Sequence, residues 1–400
     1  MLEAILSTNH FLVLVGGVFT IWLVSNFIKH LRIKKLGSYA AYRRSYVPLS
    51  LDFIINGVRH LNRHEVLQFW QRIFLDYGRL ANPYTVEASI AGARVIFTAD
   101  PENIKAILAT QFQDYGKGEK FNKEWHPFLG DSIFTTDGQL WHNSRHLIRP
   151  QFIKDRLSDL HIFERHVSVL LPKLGGQGKV VDVADLFLRF TLDAATDFLL
   201  GRSVDSLHNP QVRFAEAFAE VQHRHAILSR MGPLKWTVPK GSYYAGLKVI
   251  NEFVNPFIEQ TLRLSPEELE KKSKSDEGYT FLHALAGHTR DRTVLRDQLV
   301  AILLAGRDTT ACTLSWCLYE LSKQPRIVEK IRQEIEEVIG LEGTPTYVHL
   351  KSMKYLQVST VSIRALYRKA IYYGPQYCLR RRDCDEDLAH WSTFYCSEAE

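Results

Sequence analysis

Apolar positions from Leu295 to Glu320 (LRDQLVAILLAGRDTTACTLSWCLYE) fall on most sides of a 3.6-residue helix. The pattern predicts one long helix running through a core rather than along a surface. At its centre sits Ala305-Gly306-Arg307-Asp308-Thr309-Thr310. Gly lowers helix stability by about 1 kcal/mol relative to Ala, and a buried Asp costs more unless it is paired. Thr309 follows Ala305 by four residues, so its hydroxyl can bond the Ala305 carbonyl and loosen the helical ladder there. Two readings stand. Either a buried helix tolerates an irregularity, or the helix is opened at its centre for chemistry.

Elsewhere the pattern predicts a mainly α chain with a small β-sheet. Phe11–Ile28 is an apolar run of 18 residues, long enough to span a bilayer. Lys29, His30, Arg32, Lys34 and Lys35 follow it, whereas only Glu3 and His10 precede it. That asymmetry predicts an uncleaved anchor with the body of the chain in the cytosol. Val66–Tyr77 has a helical period. Tyr84–Ile90 and Arg94–Thr98 alternate around Ala91-Gly92 and read as a hairpin. Asp100-Pro101 caps a short helix over Glu102–Thr110. Further helices are expected over Leu157–Leu171, Asp185–Leu200, Val212–Met231, Tyr243–Leu264 and Phe281–His288, and Ser265-Pro266-Glu267-Glu268 caps another. Lys271–Glu277 reads as a charged loop, and Arg326–Ile339 as an amphipathic helix ending at Gly340. Glu329 and Arg332 form a surface i,i+3 pair on that helix, and Arg296 is a solvated or capping charge.

Composition narrows the function. A 400-residue chain that is 46% hydrophobic and 12% aromatic can bury a large core. The net charge of +6 is modest and lies in good part near the termini, which fits a negative membrane surface better than nucleic acid. All five cysteines (Cys312, Cys317, Cys378, Cys384, Cys396) fall in the last quarter without a CxxC pair, which suits a reducing compartment. His223 and His225 are two apart and share no helix face, so they make a poor metal site.

Two segments carry candidate chemistry. In Gly130–Phe152 (GDSIFTTDGQLWHNSRHLIRPQF), Asp137-Gly138 starts a helix on which Trp141 and Arg145 are four apart and share a face. An Arg beside an indole N–H can hold a carboxylate by charge-assisted hydrogen bonds, although a stacked surface pair would look the same. Phe214 and Phe218, one turn apart, can line a ligand or pack in a core.

AGRDTT matches the central-helix signature [AG]-G-x-[DE]-T-[TS] of the cytochrome P-450 family, and DGxxWxxxRxxxRPxF is present in full. The chain resembles the fungal membrane-bound branch that hydroxylates n-alkanes and fatty acids. The resemblance implies a haem-dependent monooxygenase at the endoplasmic reticulum membrane, with electrons from NADPH through a reductase and a small apolar substrate. It implies that Trp141 and Arg145 bind a haem propionate. Ala305 and Gly306 would leave room for dioxygen, Asp308 and Thr309 would relay protons to it, and Phe214 and Phe218 would contact substrate. The expected organisation is an anchor with its basic stop over 1–35, a cytochrome P-450-like part over 36–357, and a divergent tail over 358–400.

The family's order of elements is followed to Gln357 and lost after it. The ExxR helix of the family would place its Glu and Arg at Ser362 and Ala365. The thiolate loop has only an echo in Gly374-Pro375-Gln376-Tyr377-Cys378, which makes Cys378 the candidate axial ligand. A thiolate there is what favours O–O cleavage. The competing expectation is therefore a truncated, membrane-anchored family member that is catalytically inactive.

Overall fold

The computed structural model describes residues 2–360, apart from 36–39, 44, 46, 48–49, 64, 79–82, 91–92, 153–159, 176–177, 179, 276–278 and 342. Cys378 and the positions of the ExxR helix lie outside the described residues. Two compact units divide at Thr110 and Gln111.

In the first unit, α1 (Leu2–Lys35) is a 34-residue helix ending in Arg32, Lys34 and Lys35. Val13, Phe19, Ile21 and Phe27 on it are exposed. The helix expected at Phe11–Ile28 thus forms, but among the described residues no helix is long and apolar enough to cross a membrane. Next come β1 (Ala41–Arg43), α2 (Leu51–Asn62), α3 (Val66–Tyr77), β2 (Thr85–Ile90), β3 (Ala93–Thr98) and α4 (Pro101–Lys105). The expected hairpin is present, with Val86 opposite Phe97. A third strand, β1, adds to it in parallel, pairing Tyr42 with Glu87. Three residues are too few to show a strand period, so β1 was not legible in the sequence. Phe53, Ile73 and Val86 form this unit's core. Asp100 caps α4 as expected, its carboxylate accepting from the Glu102 and Asn103 amides.

The second unit is helical: α5 (Glu119–Leu129), α6 (Gly138–Ile148), α7 (Leu160–Leu170), α8 (Val183–Leu200), α9 (Arg213–Met231), α10 (Gly241–Leu262), α11 (Pro266–Ser275), α12 (Phe281–Ala286), α13 (Arg292–Ser322), α14 (Pro325–Ile339), α15 (Tyr347–Ser352) and a last helical stretch over 354–360. The expected charged loop from Lys271 is helical as far as Ser275. Ser265 and Glu268 cap each other's backbone amides, and that reciprocal pair carries α11 further than its polarity suggests. The Phe281 helix closes at Ala286, two residues short of the expected His288.

The long central helix is α13. It starts three residues earlier than its apolar period, because the Asp291 side chain accepts from the Thr293 and Val294 amides. It packs most extensively on α8, as α9 does on α10. Gly246 makes that second contact possible, since a Cβ there would meet Val221 at 2.6 Å. The core joins Phe128, Phe214, Phe218, Ile250, Ile258, Phe281, Leu295 and Val300. On α14, Glu329 and Arg332 are exposed, as expected of a solvated face. Glu334 has a role the pattern did not show: its carboxylate accepts from the Tyr355 and Leu356 amides at 2.8 Å and caps the helix over 354–360.

Candidate functional site

The N-terminal half of α13 is a buried anchor. Asp297 is 4% exposed and accepts from the Asp131 amide at 2.9 Å and from Arg296 Nη1 at 3.0 Å. Burial pushes its carboxyl above the ordinary carboxylate value, against the opposing pull of Arg296 and the Asp131 amide. Arg296 also donates to Asn251 Oδ1 at 3.0 Å. It is therefore part of a buried network, not the solvated or capping charge its position suggested. Gly130 makes room for this carboxylate. Its φ is +54°, and an added Cβ would lie 1.9 Å from Asp297. One residue on, Gln298 donates to the Asp131 carbonyl at 3.2 Å and to Ser144 Oγ at 3.0 Å.

That last bond fixes α6 against α13 and so positions Trp141 and Arg145. The Arg145 guanidinium lies 5.4 Å from the Trp141 ring centre, and Phe112 packs on the same indole at 5.1 Å. Arg145 is exposed and has no carboxylate partner among the described residues. The pair is therefore stacked and still open to an anion, which fits a propionate.

Further along α13, the AGRDTT residues divide between two faces. The Thr309 hydroxyl donates to the Ala305 carbonyl at 2.5 Å, as the spacing implied, and Thr309 and Thr310 are exposed. Gly306 points the other way. An added Cβ would meet Ala195 of α8 at 3.8 Å, an ordinary packing distance. A methyl would therefore be accommodated against α8, and Ala305 and Thr309 lie on the other, more open face.

Asp308 does not bond to Thr309. Its Oδ2 accepts from Gln222 Nε2 of α9 in a short contact, and its Oδ1 lies 3.3 Å from Arg307 Nη1. The same guanidine nitrogen donates to Gln222 Oε1 at 2.9 Å. Arg307 is 7% exposed and lies over the Phe218 ring at 5.6 Å. Burial pushes its guanidinium down from the ordinary value, while Asp308 and then Asp185 hold it up. Sequence reasoning missed Gln222 and Arg307. The available signal was a buried charge inside an apolar helix, which demands a partner.

Phe214 and Phe218 are 3% and 0% exposed. Phe214 packs on Phe253 at 4.2 Å and Phe218 edge-on against Phe128 at 5.7 Å. The structure thus uses both rings as core. Of the two histidines, His223 is exposed, while His225 is buried against Trp125 at 3.9 Å, and burial lowers its pKa to about 4. Among the described residues no cluster of His, Cys, Asp and Glu could hold a metal. A cavity of about 350 Å³ opens between α11, α12 and the 287–290 turn and includes none of these candidate residues.

The family model for cytochrome P450 (written P-450 below) matches residues 61–359, three quarters of the chain. The chain belongs to the cytochrome P-450 family. The match ends two residues beyond Gln357, where the sequence leaves the family's order. The chain is 48% identical over 343 residues to cytochrome P-450 monooxygenase pvhE of Talaromyces variabilis, covering 82% of this chain and 63% of that protein. It is 39% identical over 292 residues to cytochrome P-450 52A1 of Candida tropicalis, covering 68% of this chain and 53% of the relative. Cytochrome P-450 52A12 of Debaryomyces hansenii is 36% identical over 355 residues, covering 84% and 67%. The chain thus spans between about half and two thirds of the length of these curated relatives. Nothing in these comparisons speaks for an inactive chain.

Proposed function

We propose that the chain serves haem-dependent monooxygenation of a long apolar substrate such as an n-alkane or a fatty acid, from a membrane anchor at the endoplasmic reticulum. The observation that carries the reading is α13 itself. It is held rigidly at one end by Asp297 and Gln298 and presents Ala305 and Thr309 on an open face at its centre. When bound, haem supplies the redox chemistry that splits dioxygen, with two electrons from NADPH through a reductase; one oxygen atom enters the substrate and the other leaves as water.

Each residue then has a bounded task. Arg145 and Trp141 hold a propionate by charge-assisted hydrogen bonds. Ala305 leaves space on the open face. Thr309 Oγ1, which now donates to the Ala305 carbonyl, is the alcohol that can redirect its proton into that space. Asp308 is the acid of the pair and exchanges protons at its carboxylate. Cys378 would supply the thiolate to the haem iron. The anchor reading rests on the exposed apolar side chains of α1 and the basic residues at its end.

The test is reconstitution of the full chain in membranes with haem, a reductase and NADPH, followed by product analysis on n-alkanes and fatty acids of graded length. Hydroxylated products dependent on NADPH are expected. A haem-loaded chain that turns over none of these would overturn the substrate class.

A further inference from the structure

We propose that Gln222 of α9 is a positioning residue that sets the direction of the Asp308 carboxylate. The inference rests on the reading of Asp308 as the acid of the site. Its own test needs no haem, so the two can fail separately.

Phe218 and Gln222 are four apart and share the face of α9 that meets Arg307. Phe218 supplies the ring beneath the guanidinium, and Gln222 supplies a primary amide with both ends engaged. Its Oε1 accepts from Arg307 Nη1 at 2.9 Å, and its Nε2 donates to Asp308 Oδ2. A primary amide supplies the donor and the acceptor at its two ends. A carboxylate has no donor for Asp308, and an ammonium has no acceptor for Arg307.

The arrangement leaves Asp308 Oδ1 and Arg307 Nε buried without a hydrogen-bond partner among the described residues. One oxygen of the acid is thus pinned by α9, and the other is held only by the nearby charge of Arg307. An acid meant to release and regain a proton needs that asymmetry, because a fully bonded carboxylate is fixed in its charged form. Among the described residues, few groups bear on this carboxylate. They are Gln222 from α9, Arg307 on its own helix, and, acting through Arg307, Asp185 of α8, itself paired with Arg189 at 2.5 Å. Because Gln222 sits on α9 and Asp308 on α13, any shift of α9 along α13 changes the grip on the acid.

Thermal unfolding of the full chain from about pH 5 to about pH 8, without added haem, tests this by variants that swap the polarity of the contact. Gln222→Glu places a second carboxylate against Asp308. The folded state then keeps a proton that the unfolded state releases, so the folded pKa of the pair is raised. That variant should match the parent most closely at the acid end and lose several degrees of melting temperature as pH rises. The double variant Gln222→Glu with Asp308→Asn restores donor to acceptor. It should recover most of the loss and have no excess pH dependence. Gln222→Leu should lower the melting temperature by an amount that changes little with pH. If Gln222→Glu behaves like Gln222→Leu across the range, or if adding Asp308→Asn rescues nothing, Gln222 does not govern Asp308 and the proposal is wrong.

Discussion

The two halves of α13 are one continuous helix with opposite designs. From Leu295 to Leu303 nearly every side chain is buried, and its polar members reach outward: Arg296 to Asn251, Asp297 and Gln298 to the Asp131 backbone, and Gln298 also to Ser144. From Thr309 onward the helix opens: Thr309, Thr310, Cys312, Trp316 and Tyr319 are exposed, and the hydroxyls of Thr309, Thr313 and Ser315 bond back to their own helix. The first half holds position, and the second half offers groups. Between them lies the Gln222–Arg307–Asp308 cluster, where a charge is buried and compensated at once. The lesson is that polar residues in an apolar helix are not one class. In α13, Asp297 and Gln298 bond backbone on another element and hold position, whereas Thr309 bonds only its own helix and stays exposed.

This contrast breaks if substitutions in the two halves cost the same. The largest effect is expected at Gly130→Ala. Positive φ and a Cβ 1.9 Å from the Asp297 carboxylate together should cost about 3–5 kcal/mol in denaturant unfolding. Asp297→Ala strips the Asp131 amide and Arg296 of their partner and should cost about 2–4 kcal/mol. Gln298→Leu loses two bonds to the neighbouring loop and α6 and should cost about 1–2 kcal/mol. Thr309→Val removes only a bond within its own helix and should stay within about 0.5 kcal/mol. In the reconstituted system that same substitution should divert electrons from hydroxylated product to peroxide.

A pH series sharpens the anchor's side. Burial raises the folded pKa of Asp297 above its unfolded value, so its contribution is greatest where the carboxyl is neutral and is lost as pH rises through the folded pKa. Asp297→Asn does not titrate. Measured by unfolding, it should gain on the parent chain as pH climbs out of the carboxylate range, whatever its offset at acid pH.

How much of this was legible follows from where the information sits. The bond from Thr309 to Ala305 and the cap at Asp100 are local and could be read from spacing. The Trp141 and Arg145 pair is local too, since one helical turn brings them together. The Gln222 contact spans 86 residues and the Asp297 contact 166, and no periodicity encodes which distant side chain meets a buried charge. Phe214 and Phe218 show the reverse. An aromatic pair at helical spacing is compatible with a core and with a ligand wall, and packing on Phe253 and Phe128 is what buries both rings in this structure. Gly306 was legible as a small residue in the right motif, but not as one that faces Ala195.

The central claim is that α13 and α6 together present a haem-binding face. Titration of the folded full chain with haem, followed by reduction and addition of CO, tests it most directly. The account predicts saturable uptake of one haem with a thiolate-type Soret band, and markedly weaker uptake by Arg145→Leu at unchanged stability. A chain that is folded by circular dichroism yet takes up no haem, or takes it up equally well without Arg145, would contradict it.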